Sequence, residues 1–348
     1  MTGGAAHGTA EPRGEYILPV RWAEDSGLDE FVHYLEELCA WIPVTVVDGS
    51  DAALFARHRA LFPAAVRHIR PAPGTGNGKV TAVMTAARLS GAERLVIADD
   101  DVRYTAESLA AIVNHLDDAD VARPQNYFTS LPWHACWDTS RTLINRALSS
   151  DFPGTLAVRR AALQATEGYS AVLFENLELI RTVKAAGGRE KLLPDLFVAR
   201  RPPTSRHFFR QRIRQAYDDF AQPGRLIAEL ALLPAVAGLA ALPHHRRAPA
   251  VFGLAGAALA LAEIGRRRHN GRSAFPARTS WFAPLWVMER ALCIWIALFL
   301  RVSGGIPYSG TRLRTAAHSP TELRRRHEGK LHPNPSASPF DSQTREHT

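Results

Sequence analysis

The chain has 348 residues, of which 46% are hydrophobic, and its formal net charge is +8. A single hydrophobic core usually stops growing near ~250 to 300 residues, so we expect one large domain followed by a smaller appendage. The positive charge indicates an anionic partner, such as a phosphate-bearing ligand, a membrane surface or a nucleic acid. The cysteines Cys39, Cys136 and Cys293 are too scattered for a CxxC metal cluster or a disulfide framework, which fits a reducing compartment.

The first two thirds of the chain alternate short apolar runs with helical patterns. Residues 1–14 are mostly polar or small and lack the apolar stretch of a secretory signal, so we expect them to be disordered and cytosolic. The predicted strands are Tyr16–Val20, Val44–Asp48, Ala65–Ile69, Arg94–Ala98, Asp120–Arg123, Thr155–Arg159 and Lys191–Val198. The predicted helices are Leu28–Ala40, Ala52–Leu61, Lys79–Leu89, Ala106–Leu116, Ser140–Leu148 and Leu177–Ala186. This alternation predicts an α/β domain over residues 15–222 with a mostly parallel sheet.

Three long apolar segments follow this domain. They are Arg225–Pro243, Pro249–Gly265 and Phe282–Leu300, each close to the ~20 residues that cross a bilayer. The third carries Glu289 and Arg290, and each such charge costs roughly 2.5 to 3.5 kcal/mol at the centre of a membrane helix. This segment therefore either spans the membrane or lies in the interface. We expect a membrane region over residues 223–303 with two or three helices, and a buried helical subdomain is the alternative.

The last residues, 304–348, are basic and rich in Pro and Ser, so we expect a largely disordered tail. A cytosolic N-terminal domain and the basic loop Arg266–Arg272 fit two membrane spans under the positive-inside rule. A third span would place the basic tail outside, against the same rule. The number of spans stays open at this point.

The strongest chemical signal is a run of three aspartates directly after an apolar strand, in Arg94-Leu-Val-Ile-Ala-Asp99-Asp100-Asp101. Like charges at a strand end repel unless water or a cation neutralises them. Asp99 and Asp101 are two residues apart, so their side chains share one face of an extended chain, and carboxylates are the ligands that hard divalent cations prefer. The pattern indicates a Mg²⁺ or Mn²⁺ site facing a diphosphate. The alternative is a solvated acidic turn capping the helix that begins near Thr105.

Two earlier segments carry residues suited to a nucleotide. Asp48 closes the second predicted strand, and ligands bind at the carboxyl ends of parallel strands, although such an aspartate is more often a helix cap. The run Gly74-Thr-Gly-Asn-Gly78-Lys79 enters a helix with backbone amides and a lysine suited to phosphate. It is not a P-loop, because Pro73 replaces the first glycine and Val80 replaces the Ser or Thr after the lysine.

With these motifs in this order, the sequence resembles the family 2 glycosyltransferases, which have the GT-A fold, from Tyr16 to about Phe220. The motifs that carry the resemblance are Leu18-Pro19-Val20-Arg21, Val47-Asp48-Gly49-Ser50, Gly78-Lys79 and Asp99-Asp100-Asp101-Val102. The resemblance implies that Asp48 contacts the nucleoside and that Asp99 and Asp101 bind the diphosphate and the metal. It also implies nucleotide-sugar contacts for a wider set of residues: Pro19, Arg21, Lys79 and Asp100.

A further motif resembles the family imperfectly. Phe174-Glu175-Asn176-Leu177-Glu178 stands where the family has Glu-Asp at a helix start, with the Asp as catalytic base. Asn176 occupies the position of that base and cannot accept a proton. Glu175 or Glu178 would then act as the base, and we favour Glu175, since both cannot face the donor from one helical turn. The alternative is two ordinary carboxylates placed in a first helical turn by the helix dipole.

The segment Gln211-Arg212-Ile213-Arg214-Gln215 resembles the Q-x-x-R-W motif of the processive and lipid-glycosylating branches, with Gln215 in place of the tryptophan. The resemblance implies donor contacts for Gln211 and Arg214. A basic helix at the membrane surface is the alternative interpretation of this segment, and both can hold at once.

Together, the resemblance and the apolar segments predict an integral membrane protein with a cytoplasmic catalytic domain. The expected reaction is an inverting transfer from a nucleotide sugar, a UDP-sugar before a GDP-sugar, to a lipid or lipid-linked acceptor. Mg²⁺ or Mn²⁺ is the expected cofactor, and we expect no nucleic-acid partner, because the basic residues gather near the apolar segments without an aromatic stacking surface. Two rivals stay open: a membrane-bound nucleotidyltransferase or NTPase, and a non-enzymatic scaffold with a degenerate transferase domain.

Overall fold

The computed structural model describes residues 14–24, 27–74, 76–308 and 311–331. The disorder predicted for residues 1–14 lies outside this part of the chain, except that Gly14 opens the first strand. One mixed sheet has eight strands: β1 (Gly14–Val20), β2 (Val44–Asp48), β3 (Arg67–Ile69), β4 (Arg94–Ala98), β5 (Val102–Arg103), β6 (Val121–Phe128), β7 (Thr155–Arg159) and β8 (Glu190–Arg200). Their order across the sheet is β3-β2-β1-β4-β7-β6-β8-β5. The seven strands predicted from the sequence are all present, and the two-residue β5 was missed.

The pairing of these strands creates a crevice at one edge of the sheet. β1 pairs in parallel with β2 on one side and with β4 on the other. β2 and β3 therefore lie on one side of β1, and the chain then crosses to the other side of β1 to form β4. The position between β1 and β4 is a topological switch point, where α/β sheets bind ligands. The carboxyl ends of β1, β2 and β4 meet there. β7 runs antiparallel to β4 and β6 and extends the sheet beyond the crevice.

Alternating side chains of the central strands enter two cores on opposite faces of the sheet. Tyr16 and Leu18 of β1 pack with Phe31, whereas Ile17 between them packs with Val83 on the other face. Eight helices accompany the sheet: α1 (Leu28–Trp41), α2 (Ala52–Leu61), α3 (Gly78–Leu89), α4 (Ala106–Asn114), α5 (Trp133–Leu148), α6 (Arg160–Ala165), α7 (Glu175–Ala185) and α8 (Ser205–Asp218). The helix predicted to begin at Ser140 begins at Trp133 instead, because its first two turns are also packed against the protein.

Side-chain caps fix the starts of the helices that lead away from the crevice. The Asp51 side chain accepts a hydrogen bond from the backbone N–H of Leu54, 2.9 Å away, at the start of α2. The Asn77 side chain accepts from the backbone N–H of Lys79, 3.0 Å away, at the start of α3. These caps satisfy N–H groups that have no partner within the helix and set where each helix begins.

Three long apolar helices follow: α9 (Pro223–Ala240), α10 (His244–Arg267) and α11 (Ala283–Val302). By length and composition, each is able to cross a membrane. All three also touch the rest of the protein: α10 packs on α5, and α11 packs on α8 and α9. About a third of the apolar stretch that includes α11 is buried inside the protein, a larger share than in α9 or α10.

The chain after α11 is folded in residues 304–308 and 311–331, which corrects the expectation of a disordered tail for these residues. β9 (Ile306–Tyr308) and β10 (Thr311–Leu313) pair antiparallel, and α12 (Pro320–His327) follows. Ile306, Ala316 and Leu323 are buried against the N-terminal domain and the apolar helices. These few apolar residues anchor a segment whose composition otherwise indicates disorder. The rest of the predicted tail, residues 332–348, lies outside the described residues.

Candidate active site

The three aspartates lie just beyond the end of β4, where two cations from other elements meet them. Lys79 Nζ, at the start of α3, is 2.6 Å from Asp99 Oδ1. Arg200, the last residue of β8, places Nε 2.7 Å from Asp101 Oδ2 and Nη2 3.5 Å from Asp99 Oδ2. Gly154 leaves room for this arrangement, because a Cβ there would lie 2.6 Å from Asp99 Oδ2. The sequence pointed to Lys79 and missed Arg200, which reaches the site through the pairing of β5 with β8.

Burial and the neighbouring cations act differently on the two outer aspartates. Burial works to raise the pKa of Asp99, but Lys79 and Arg200 outweigh it and leave this pKa lowered. For Asp101, burial prevails over Arg200 and raises the pKa to about 6. Asp101 Oδ1 is buried without a hydrogen-bond partner in the described part of the chain. A second carboxylate beside such an orphaned oxygen suits a divalent cation.

Glu175, the first residue of α7, belongs to the same cluster. Its Oε1 is 2.8 Å from Lys79 Nζ, so the lysine bridges Glu175 and Asp99. Its Oε2 accepts a long hydrogen bond of 3.5 Å from Asn77 Nδ2 and lies 4.0 Å from Arg214 Nη2. The structure thus brings together three predicted site residues from distant parts of the sequence, and it gives the favoured base a cationic partner.

Asp48 lies at the end of β2, fully buried and held on both oxygens. Oδ1 accepts a hydrogen bond from the Ser50 N–H at 2.8 Å, and Oδ2 lies 2.7 Å from His58 Nδ1 and 3.1 Å from His68 Nε2. Burial works to raise the pKa of Asp48, but the hydrogen bonds from His68, Ser50 and His58 leave it well below its usual range. Both carboxylate oxygens of Asp48 are therefore bound by neighbouring protein groups. His68 stacks on Phe55, with ring centroids 4.2 Å apart.

The remaining predicted nucleotide contacts lie at or near the carboxyl ends of β1 and β4. Pro19 is half-buried within β1 and Arg21 is exposed just after it. Asp100 accepts a hydrogen bond from the indole N–H of Trp22. The backbone N–H of Trp22 in turn donates to Ser50 Oγ at 2.9 Å. Trp22 therefore links the acidic run to the segment after Asp48, a connection that no sequence motif indicates.

A polar cavity of about 170 Å³ opens beside the aspartates. Its wall includes acidic, basic and amide side chains from β4, α7, β8 and α8, among them Asp99, Glu175, Arg200, Gln211, Arg214 and Asp218. Gln211 contacts the His207 ring through a hydrogen bond one turn earlier in α8. Arg214 lies over the ring of Tyr308 in β9, 4.9 Å from its centroid. Both residues of the predicted Q-x-x-R motif therefore line the same cavity as Asp99.

Asp218 is a cavity carboxylate that no sequence motif indicates. It follows Arg214 by four residues, which places both on one face of α8. Its Oδ1 is buried and has no hydrogen-bond partner among the residues that the structure describes. Burial raises the pKa of Asp218 to about 7. The positive charge of Arg214 works to lower this pKa, the negative charges of Asp219 and Glu175 raise it further, and Arg290 works to lower it. The only sequence signal for this residue was its helical spacing from Arg214.

Glu178 does not line the cavity. The prediction that it could act as the catalytic base is therefore corrected. Glu178 is fully buried. Its Oε1 is 2.6 Å from His318 Nδ1, and its Oε2 accepts a hydrogen bond from the His318 backbone N–H at 2.8 Å. Glu178 therefore fastens the C-terminal segment to α7. Asn176 has a structural contact as well, because its amide donates to the Pro153 carbonyl at 3.1 Å.

Comparison with known proteins supports the fold seen here. No family model and no curated protein matches the sequence. Among solved structures, the chain is similar to a mannosyltransferase from Pyrobaculum calidifontis in complex with GDP-Man and Mn²⁺, with a TM-score of 0.54 and 20% identity over 82% of this chain and 88% of that one. The sheet, its switch point and this likeness confirm the predicted GT-A fold with appended apolar helices.

Two further solved structures match more distantly. A glucosyl-3-phosphoglycerate synthase from Mycobacterium tuberculosis, in complex with Mn²⁺, uridine diphosphate and glucosyl-3-phosphoglycerate, has a TM-score of 0.40 and 14% identity, over 57% of this chain and 77% of that one. TarS from S. aureus has a TM-score of 0.37 and 14% identity, over 60% and 40% of the two chains.

Proposed function

We propose that this protein is a glycosyltransferase that takes a sugar from a nucleotide diphosphate sugar. The observation that carries the proposal is the cluster at the switch point, where Asp99 and Asp101 face Lys79 and Arg200 within 2.6 to 3.5 Å. A diphosphate entering the adjacent cavity would meet two carboxylates able to share a metal, with cations ready to take up its remaining charge. The mannosyltransferase that shares this fold binds GDP-Man and Mn²⁺.

The carboxylates fit a divalent metal such as Mg²⁺ or Mn²⁺. Asp101, through its orphaned Oδ1, and Asp99 would hold the metal. Within the described residues no group of three or more His, Cys, Asp or Glu side chains could hold a metal ion. The donor diphosphate and water would complete the coordination, which is the usual pattern for Mg²⁺ in phosphate chemistry. Such a metal, when bound, neutralises charge on the departing diphosphate.

The donor half of the cavity is assigned to residues named above. Lys79 and Arg214 stabilise the diphosphate, while Gln211 contacts the donor from α8. Asp48 shapes the nucleoside side through His58 and His68. Further contacts with the nucleotide are assigned to Pro19, Arg21 and Asp100. We assign a UDP-sugar as the donor, with a GDP-sugar as the second choice to be tested beside it.

The acceptor hydroxyl needs a base, and we assign this role to Asp218. Glu175, which the sequence favoured, already pairs with Lys79 at 2.8 Å, so we assign it to holding that lysine beside Asp99. In the proposed reaction, the acceptor oxygen forms a bond to the anomeric carbon as the carbon–diphosphate bond breaks. The hydroxyl proton passes to Asp218, and the bonding electrons leave with the nucleoside diphosphate. Attack opposite the leaving group inverts the anomeric centre.

The acceptor is proposed to be a lipid or a lipid-linked glycan at the cytosolic face of a membrane. The cavity is lined by Arg225 and Arg290, from α9 and α11, as well as by residues of the sheet domain. An acceptor hydroxyl carried by a membrane lipid would therefore arrive next to the helices that are apolar enough to contact that membrane.

The test is nucleoside diphosphate release from a panel of UDP- and GDP-sugars, with Mg²⁺ or Mn²⁺ and a native lipid extract. Wild-type membranes should release the product, and Asp101→Asn should lower the rate by roughly 100-fold or more. Asp118→Asn is the matched control, because Asp118 is an exposed aspartate paired only with Lys191 in the described structure. Equal release by wild type and Asp101→Asn would remove Asp101 from the reaction.

The same experiment separates the rival functions. Release of pyrophosphate or inorganic phosphate, instead of a nucleoside diphosphate, would identify a nucleotidyltransferase or an NTPase. Donor binding without transfer to any acceptor fraction would identify a scaffold with a degenerate transferase domain.

A further inference from the structure

The chain on both sides of the apolar helices belongs to one folded body. After α11, the backbone returns to the segment that precedes α7: the N–H groups of Leu173 and Phe174 donate to the carbonyls of Thr315 and Ala316 at 3.2 and 2.8 Å. The Glu178–His318 pair lies beside these bonds, at 2.6 Å. Residues 14–222 and 311–331 must therefore lie on the same side of any membrane, so the apolar region crosses the membrane an even number of times or not at all.

α11 itself lies along the surface of the sheet domain. Its two charged residues face inward: Arg290 Nη1 is 3.0 Å from Asp219 Oδ2, and Glu289 Oε2 is 3.6 Å from Arg212 Nη1 on α8. These pairs hold the middle of α11 at the level of the sheet domain, so its midpoint does not lie at the centre of a bilayer. The charges that would be costly in a span are satisfied by the domain instead.

The outward face of α11 is an apolar stripe. Its exposed side chains recur every three or four residues along the helix: Leu285, Met288, Leu292, Trp295, Phe299 and Val302. Over this length the stripe runs about 25 Å at 1.5 Å per residue. The opposite face of α11 is buried against the protein, so the stripe is the face that is left free to contact lipid: the buried residues are Ala283, Trp286, Arg290, Ala291, Ile294 and Ala297.

The hairpin of α9 and α10 is too short to cross. Near its base, Glu229 is buried on α9, and Ala258, Ala262 and Gly265 are buried on α10. Gly265 allows close contact with α5, since an added Cβ would lie 1.8 Å from the Leu143 carbonyl oxygen. The free arm of α10, residues 244–257, is about 21 Å long, and that of α9 is shorter, against a hydrocarbon core of ~30 Å. The basic tip at residues 244–247 also disfavours burial at the bilayer centre.

We propose that the protein binds one leaflet without crossing the membrane: the α11 stripe and the α9–α10 hairpin both lie along the interface plane, so that the basic tip of the hairpin stays at the level of the headgroups. This proposal rests on the membrane association contained in the proposed function. The partner is a lipid surface, with acyl chains against the stripe and anionic headgroups against the arginines at the hairpin tip and at Arg266 and Arg267. The proposal explains why three helices of spanning length lie between two chain segments that fold together on one side of the membrane.

Cysteine labelling tests the topology. In a chain whose native cysteines, Cys39, Cys136 and Cys293, are replaced by alanine, single cysteines are placed at exposed positions by His33→Cys, His245→Cys and Arg325→Cys. A membrane-impermeant maleimide should label none of the three in intact cells, and should label His33→Cys and Arg325→Cys once the cells are opened. Labelling of His245→Cys from outside would overturn the proposal by showing a crossing hairpin. Labelling of Arg325→Cys alone would overturn it by showing an odd number of crossings.

Binding of the purified full chain to vesicles of phosphatidylcholine and phosphatidylglycerol tests the stripe. Leu292→Glu and Phe299→Glu should weaken binding by roughly tenfold or more, because each removes an apolar side chain from the contact. Leu89→Glu is the matched control, since Leu89 is 57% exposed but lies on α3, outside the three helices. Unchanged binding by the stripe variants at unchanged Tm would overturn the placement of α11. Recovery of wild type in the soluble fraction of cells would instead refute membrane association itself, leaving the sugar-transfer assay to be judged separately.

Discussion

Asp218→Asn should abolish sugar transfer and, at the same time, stabilise the fold at alkaline pH. Burial raises the pKa of Asp218 to about 7 from an ordinary value of 3.8. Between these values the folded state keeps a proton that the unfolded state has released, so the free energy of unfolding falls as pH rises. At 1.36 kcal/mol per pKa unit, the loss reaches roughly 4 kcal/mol above pH 7. Asparagine carries no charge at any pH and avoids this loss.

Thermal unfolding of the two proteins between pH 5 and pH 8 measures the effect. The advantage of the variant should grow by about 2 to 3 kcal/mol over this range, which corresponds to roughly 5 to 10 °C in Tm for a domain of this size. Wild-type transfer should rise with pH through about 7 as Asp218 ionises, and transfer by the variant should fall by roughly 100-fold or more.

The neighbouring aspartate supplies the control. Asp219 pairs with Arg290 at 3.0 Å and with Arg225 at 2.9 Å, so Asp219→Asn should destabilise the protein by about 3 to 5 kcal/mol at pH 8. A Tm difference between Asp218→Asn and wild type that does not change with pH would refute the reasoning on burial. Normal transfer by Asp218→Asn, with an unaltered pH profile, would refute its role as base.

Two further substitutions test catalysis and stability separately. Gly154→Ala places a methyl group 2.6 Å from Asp99 Oδ2, so nucleoside diphosphate release should fall about tenfold or more while Tm changes little. Gly224→Ala is the control and should be neutral in the same assay, because an added Cβ there meets nothing within 4 Å. Glu178→Gln breaks the buried pair with His318, so the protein should lose about 3 kcal/mol of stability in denaturant unfolding while transfer per folded molecule stays near normal. Lost transfer with full stability would return Glu178 to the list of catalytic candidates.

The residues that the sequence grouped correctly share a physical cause. Parallel strands end at one edge of a sheet, so the positions of Asp48 and Asp99 after apolar runs were enough to predict that they lie at that edge. Lys79 was predicted to lie near a phosphate because it stands in the first turn of a helix that follows a glycine-rich segment. Each of these signals is local in sequence, and the structure brings Lys79 and Asp99 to within 2.6 Å.

The residues that the sequence missed depend on contacts between distant segments. Arg200 reaches the aspartates only because β8 pairs with β5, a strand of two residues. Asp218 is distinguished by its burial and by its lack of a hydrogen-bond partner among the described residues, neither of which is visible in the motif around Arg214. The folding of residues 311–331 was likewise hidden, because a basic composition says nothing about the few buried contacts that anchor such a segment.

The pairing of residues 315–316 with residues 173–174 also sets an order of biogenesis. The segment that braces the start of α7 is among the last described parts of the chain to leave the ribosome. At ~5 to 20 residues per second, the roughly 110 residues that follow α8 take about 5 to 20 s to synthesise. Throughout that time the apolar helices emerge while Glu178 still lacks His318 and Arg214 still lacks Tyr308. During synthesis, the contacts of Glu178 and Arg214 with the C-terminal segment therefore form only after the apolar helices have been made.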